Sequence, residues 1–214
     1  MSDHDDFEVE PVNGLPEQLP AGESILWQGQ PQWWQLACRA FHVRKVAFYF
    51  LVLIVWEVVS GIDQGFGALL IGTAVFKLLL AAAFGIGLLM LLAWGCAREA
   101  VFTLTNKRLV MRFGIALRLT LNLPYSRIES GSLRPGRDGY GDVALLLDPE
   151  DRISYAVLWP HARPWQFRRP QPTLRCIANA AGVADILAAQ LSENVAKPVS
   201  DAAEADQGLV GAYS

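Results

Sequence analysis

Histidine, cysteine and charge are all scarce in this chain of 214 residues, and each shortage argues against a class of function. The three cysteines, Cys38, Cys96 and Cys176, are odd in number, far apart and lack a C-x-x-C pair. That pattern speaks against a disulfide framework or a cysteine zinc site, and free thiols suit a reducing compartment. The three histidines, His4, His42 and His161, share no metal-ligand spacing. Charged residues make up 18% of the chain and the net charge is −3, so there is no global basic excess of the kind nucleic-acid binding uses. No G-x-S-x-G elbow, phosphate loop or dinucleotide fingerprint occurs, and Gly139-Tyr140-Gly141 is most simply a turn between strands. The first ten residues hold five carboxylates and no Lys or Arg, and no apolar core precedes Val46, so no secretory leader is expected. The expectation is a protein that is not an enzyme and carries no metal or cofactor.

What the chain does have is two long apolar runs placed back to back. Val46–Ile62 and Phe66–Ala97 are separated only by Asp63, Gln64 and Gly65. A spanning helix needs about 20 apolar residues to cross a hydrocarbon core of about 30 Å, so both runs qualify and together predict a transmembrane hairpin. Breaking the second run near Gly85 and Gly87 would give three spans. Its first part, Phe66–Ala74, is however too short to cross alone, and two spans remain the reading. Arg44 and Lys45 precede the first span, while Arg98, Lys107 and Arg108 follow the second. The positive-inside rule then places both termini in the cytoplasm, as expected for a multi-pass protein of the inner membrane.

Trp33, Trp34 and Trp94 sit where interfacial aromatic belts belong. Pro31 suits the first turn of a helix. Trp33, Trp34, Ala37, Ala40 and Phe41 share a face at helical spacing, which predicts an interfacial helix over 31–45 running into the first span. A soluble helix packed on the later domain is the alternative.

Glu57 and Lys77 are the ionisable residues inside the two runs. Charge at that depth is costly and usually faces protein, water or a partner. Counted from Lys45 and Trp94, they lie about 18 and 26 Å along their helices, hence about 8 Å apart in depth. A pair between them, a snorkelling Lys beside a neutral Glu, and a polar handle for another membrane helix all remain open. Small residues four apart, Ala68/Gly72, Ala81/Gly85 and Ala83/Gly87, permit close helix approach, either by the first span or by a foreign helix. Neither span contains a histidine.

From Ala100 the pattern changes to short strand-like segments, of which Val101–Thr105 and Leu117–Leu123 alternate. Val101–Thr105, Arg108–Phe113, Leu117–Leu123, Ile128–Leu133, Asp142–Leu147 and Ile153–Trp159 are predicted strands, with turns at 134–141 and 148–151. Asn179 can cap a helix carrying Val183, Ile186, Leu187 and Leu191 on one face, ending near 194–197 before Pro198. Residues 201–214 are small and polar, which predicts a disordered tail. The implied fold is a membrane α-helical hairpin plus an antiparallel β barrel or sandwich closed by a C-terminal helix. Residues 1–30 form an N-terminal segment, 46–62 and 66–97 the spans, 100–195 the domain and 196–214 the tail.

The segments FTLTNKRLVMRFG, LNLPYSRIES and GYGDVALLL resemble the bacterial pleckstrin-homology-like domains found after membrane hairpins. EPVNGLPEQLPAGESILWQGQPQWW, AFHVRKVAFYF, LTLNLPYSRIE and LWPHARPWQFRRPQPTLRC, taken in order, resemble the PuhB family of photosynthetic complex assembly proteins of purple phototrophic bacteria. That resemblance implies a membrane assembly factor for the reaction centre and core light-harvesting complex 1, with their subunits as partners. Composition and periodicity themselves show only a membrane hairpin with a cytoplasmic domain.

The clearest candidate contact surface is Trp159–Arg169, where Arg163, Arg168 and Arg169 alternate with Trp159, Trp165 and Phe167. Four prolines, Pro160, Pro164, Pro170 and Pro172, keep it out of helix. Arg and Trp are common interface anchors and also suit anionic lipid, while burial of the aromatics within the domain is the plain alternative. The acidic segment Asp3–Glu10 could meet a basic partner but is read as a solvated tail. A membrane-tethered lipid- or peptide-binding module without a photosynthetic role is the second functional reading, a membrane enzyme or transporter subunit the third. A homodimer is compatible with all three.

Overall fold

The computed structural model describes residues 19–115, 118–136, 139–149 and 153–194. The acidic segment Asp3–Glu10, the tail 196–214, Leu117 and parts of the turns at 134–141 and 148–151 lie outside the described residues. The chain divides into two compact units: Gln32–Arg98, and the described residues on either side of it.

The first unit is helical. Helix α1 (Trp33–Arg39) starts under a cap in which the Gln32 side chain accepts a hydrogen bond from the Gln35 backbone N–H at 2.7 Å. His42 adopts a left-handed conformation, φ 55°, and breaks the path before α2 (Val43–Asp63). Helix α1 therefore stops short of α2 instead of running into it as expected. Its face also differs: Leu36, Ala37 and Phe41 are buried, whereas Trp33 and Trp34 are exposed and meet edge to face at 5.7 Å.

Helix α2 has 21 residues, about 31 Å at 1.5 Å per residue, and α3 (Ala68–Glu99) has 32, about 48 Å. Both are long and apolar enough to cross a membrane, and only 6% of each most apolar window is buried. Phe48, Trp56, Leu69, Phe76 and Phe84 all face outward. A helix buried in a soluble core would show the reverse. The close approach of the two helices is at Gly61, where an added Cβ would stand 2.7 Å from Ile71 Cγ1.

The second unit is two antiparallel sheets around one core. Sheet order is β1-β2-β3-β4 in one and β5-β6-β7 in the other. The strands are β1 (Ile25–Gly29), β2 (Val101–Thr105), β3 (Arg108–Phe113), β4 (Leu119–Pro124), β5 (Ile128–Pro135), β6 (Tyr140–Leu147) and β7 (Thr173–Ala178). The alternation of β2 and β3 sends Phe102, Leu104, Leu109, Met111 and Phe113 into the core, where Leu145, Leu174 and Ile177 meet them. A final helix, α5 (residues 180–194), closes the core with Val183 and Leu187. Asn179 starts it as expected, its Oδ1 accepting from the Gly182 N–H at 3.4 Å. Gly131 on β5 leaves room for this helix, since a Cβ there would lie 2.9 Å from Leu187 Cδ2.

Three differences from the sequence reading matter. Residues 25–29 are not a separate segment: β1 pairs antiparallel with β2, Gly29 opposite Phe102. The helical unit is thus an insertion between the first and second strands of one sheet. Ile153–Trp159 is not a strand but carries the short helix α4 (Tyr155–Leu158). The seventh strand is instead Thr173–Ala178, just after the proline-rich stretch.

Around the β2–β3 turn the N-terminal arm is locked in place. Arg108 donates to both Glu23 carboxylate oxygens, at 2.8 and 3.1 Å, and the Thr105 hydroxyl donates to Oε1 at 2.8 Å. Burial of the Glu23 side chain works to raise its carboxyl, but the Arg108 and Thr105 hydrogen bonds outweigh it and hold the group below its usual range. The Tyr125 hydroxyl donates to the Thr105 carbonyl, and burial, aided by the charge of Glu23, pushes that phenol up to about 12.

Candidate functional site: an arginine and tryptophan excursion from the second sheet

The connection from β6 to β7 makes a long excursion, and its base is zipped shut. Ala162 and Pro172 form an isolated antiparallel bridge. The Arg163 N–H donates to the Gln171 carbonyl at 2.9 Å, and the Thr173 N–H donates to the His161 carbonyl at 2.7 Å. The Leu145 N–H donates to the Pro172 carbonyl at 2.8 Å, which ties the base to β6. Prolines deprive the tip of ladder donors, so it projects rather than joining a sheet.

Below this base, His161 is completely buried between Phe102 and Phe113, with ring centroids 5.3 and 5.5 Å away. Neither ring nitrogen has a hydrogen-bond partner among the described residues. Burial, reinforced by the nearby Arg175 charge, lowers its pKa to about 3. His161 is a neutral core side chain. Among the described residues, no group of three His, Cys, Asp or Glu could hold a metal ion.

The tip carries the exposed chemistry. Trp165 stands at φ 66° and is 84% exposed. Its ring meets Phe167, itself 61% exposed, edge to face at 6.3 Å, and Phe167 leans on Tyr155 at 4.7 Å. Trp159 is also exposed. The aromatics of this segment are thus not buried in the domain. Arg169 is held by the Leu147 carbonyl at 3.0 Å and Glu129 at 3.4 Å. Arg163 donates to the Gln171 side-chain oxygen at 2.9 Å. Arg168 is exposed and pairs with no carboxylate among the described residues. Phe167–Gln171 face Leu146–Pro149 and Ile153–Tyr155 across an open cleft of about 740 Å³. The sequence located the Arg and aromatic residues of this site. It missed Tyr155 and Asp148, which reach the cleft only through the fold.

The membrane candidates fall elsewhere. Lys77 is exposed on α3 and Glu57 half-buried on α2, with no ion pair between them among the described residues. Glu57 lies four residues before Gly61 and Lys77 six after Ile71, so the helix contact there sets their depths about 3 Å apart rather than 8 Å. Ala81 is exposed, and a Cβ on Gly72, Gly85 or Gly87 would meet nothing within 4 Å. The four-apart small pairs of α3 therefore do not serve the contact with α2. Trp94 and Arg98 stack, the guanidinium 5.2 Å from the ring centroid, while Arg44 and Lys45 are exposed in the first turn of α2.

Residues 46–191 match the bacterial PH domain family. The chain belongs to that family. The match begins within α2, so it takes in both apolar helices together with β2–β7 and most of α5, and leaves β1 outside. A protein of Rhodobacter capsulatus described as an uncharacterized 23.7 kDa protein in the puhA 5′ region is 45% identical over 210 residues. The alignment covers 95% of this chain and 98% of that relative. No solved structure matches the chain.

Proposed function

We propose that this bacterial PH domain protein is a non-enzymatic membrane assembly factor for the photosynthetic reaction centre and core light-harvesting complex 1. The observation that carries the reading is the full-length relative whose name places it beside puhA. The ordered segments resembling the PuhB family support the same role. The helix pair supplies a means: α3 turns Ala81, Gly85 and Lys77 outward, where a nascent partner helix could rest until its own subunits arrive. Both termini lie in the cytoplasm in this reading. The β1–β2 pairing supports a common side for both ends of the insertion, because it must leave and re-enter one domain and hence cross an even number of times, while the choice of the cytoplasmic side rests on the flanking basic residues. No resident pigment is needed, since neither span offers a histidine. Subunits of the reaction centre or core antenna are the proposed partners, with membrane lipid beside them, and self-association into a homodimer is compatible with the role.

Deleting the protein is expected to lower reaction-centre and antenna yield while pigment synthesis continues. Unchanged assembly kinetics in the deletion strain would count against the role. A purified sample with stoichiometric bacteriochlorophyll absorption would overturn the pigment-free reading. The exposed Arg and Trp excursion also supports a second reading, a tethered lipid- or peptide-binding module without a photosynthetic role. Affinity capture from photosynthetic membranes separates the two: recovery of reaction-centre or antenna subunits favours the first, their absence the second.

A further inference from the structure

Between Asp151 and Asp185 the chain carries five arginines and no carboxylate. Of these, Arg175 is buried and donates to the Pro160 carbonyl at 3.0 Å, and Arg169 is held by Leu147 and Glu129. Arg152 lies outside the described residues, and Arg163 and Arg168 are left at the surface beside Trp165 and Phe167. We propose that this tip docks on an anionic bilayer, with the two rings entering the headgroup interface and the two guanidinium groups taking lipid phosphates.

Three observations point there. The first is chemical. An indole and a phenyl ring left in water cost the fold apolar exposure, and a Trp of this kind is at home at the boundary of headgroup and acyl chain. The planar fork of Arg matches a phosphate. The second is charge complementarity. Among the described residues, Arg163 is met only by the neutral Gln171 amide oxygen and Arg168 has no carboxylate partner. The third is the tether. Only Gln30 and Pro31 separate β1 from the helical unit, and only Ala100 separates α3 from β2. At about 3.5 Å per residue these joins reach no more than about 10 Å, so the domain is always presented to the bilayer holding α2 and α3. Under such a tether a weak contact is enough to be occupied. Neighbouring parts of the excursion have other tasks: Arg169 and the zipped base hold the tip out, and Tyr155 supports Phe167 from beneath. The proposal does not rest on a photosynthetic role.

The test uses the full-length chain in nanodiscs of phosphatidylcholine with or without phosphatidylglycerol. Emission from Trp165 is isolated as the difference between the native protein and Trp165→Phe. With phosphatidylglycerol present, that emission is expected to shift to the blue, resist iodide and be quenched by brominated acyl chains. In phosphatidylcholine alone, or in the Arg163→Gln/Arg168→Gln variant, it is expected to remain that of a water-exposed indole. Both arginines are surface groups, and an unchanged far-ultraviolet spectrum checks that the variant is folded. Iodide-accessible Trp165 in phosphatidylglycerol discs would overturn the proposal. So would equal protection in phosphatidylcholine alone, or protection that appears only when solubilised reaction-centre or antenna subunits are added, which would make the tip a protein-binding surface.

Discussion

The two units of this chain use apolar side chains in opposite senses. In the sheet unit, Phe102, Leu145 and Ile177 have no solvent exposure, and nineteen residues form one buried cluster. In the helical unit, side chains of the same chemistry, Phe84 and Leu69 among them, point outward with 75% and 81% of their surface free. Water can be the solvent of the first arrangement only, since such an apolar exterior would aggregate in it. The comparison teaches that the helices are solvated by lipid or by a partner, while the sheet unit is self-sufficient.

Substitutions should separate the two regimes. The largest effect is expected from truncation in the sheet core: Leu145→Ala should cost about 2–5 kcal/mol of stability in a denaturant titration, whereas Phe84→Ala should leave stability nearly unchanged. A similar loss from Phe84→Ala would break the comparison.

Acid should act on the sheet unit through His161. Its pKa falls from 6.5 unfolded to about 3 folded, so the neutral form contributes fully above pH 6.5. As pH falls from 6.5 toward 3, the unfolded chain takes up a proton that the folded chain refuses, and stability drops by about 1.4 kcal/mol per pH unit. His161→Leu should flatten that slope, as read from melting temperature against pH.

Glu23 titrates in the same direction, because its carboxyl is held low: its contribution is present above the unfolded carboxylate range and is lost as pH falls through the folded value. Glu23→Gln should cost about 1–3 kcal/mol, since it breaks a charge-assisted pair whose carboxylate side chain is only 2% exposed. Double-mutant analysis with Arg108→Gln would apportion the loss.

Within the helical unit the expected effects are one-sided. Gly61→Leu should disturb the α2–α3 contact by about 1–3 kcal/mol, because the added side chain runs into Ile71. Gly85→Leu should be neutral, because nothing lies within 4 Å of the position its Cβ would take. Inter-helix cross-linking in detergent is the measurement, and equal sensitivity at the two glycines would contradict the assigned helix faces.

Periodicity made most of this architecture legible. The two apolar runs, the alternation of β2, the short apolar strand runs of β3 and β6, and the Asn179-capped helix are local signals carried by contiguous residues. What escaped was non-local or locally contradictory. Strand β1 is five residues long, and its partner lies more than seventy residues away across the helical insertion. Nothing within Ile25–Gly29 announces that pairing. Strand β7 follows four prolines and carries Arg175, so it reads as loop although five of its six residues are buried. Tyr155–Leu158 has strand-like composition but turns once as a helix above the core. At the candidate site the residue types could be read directly, whereas the zipped base and the Tyr155 support depend on β6 and β7 lying side by side.

The most direct measurement is photo-cross-linking from a reactive group placed at Gly85 in phototrophically growing cells. It reads what occupies the outward face of α3 during assembly. Adducts to reaction-centre or core antenna subunits are the predicted result, and adducts to lipid alone would contradict the central claim.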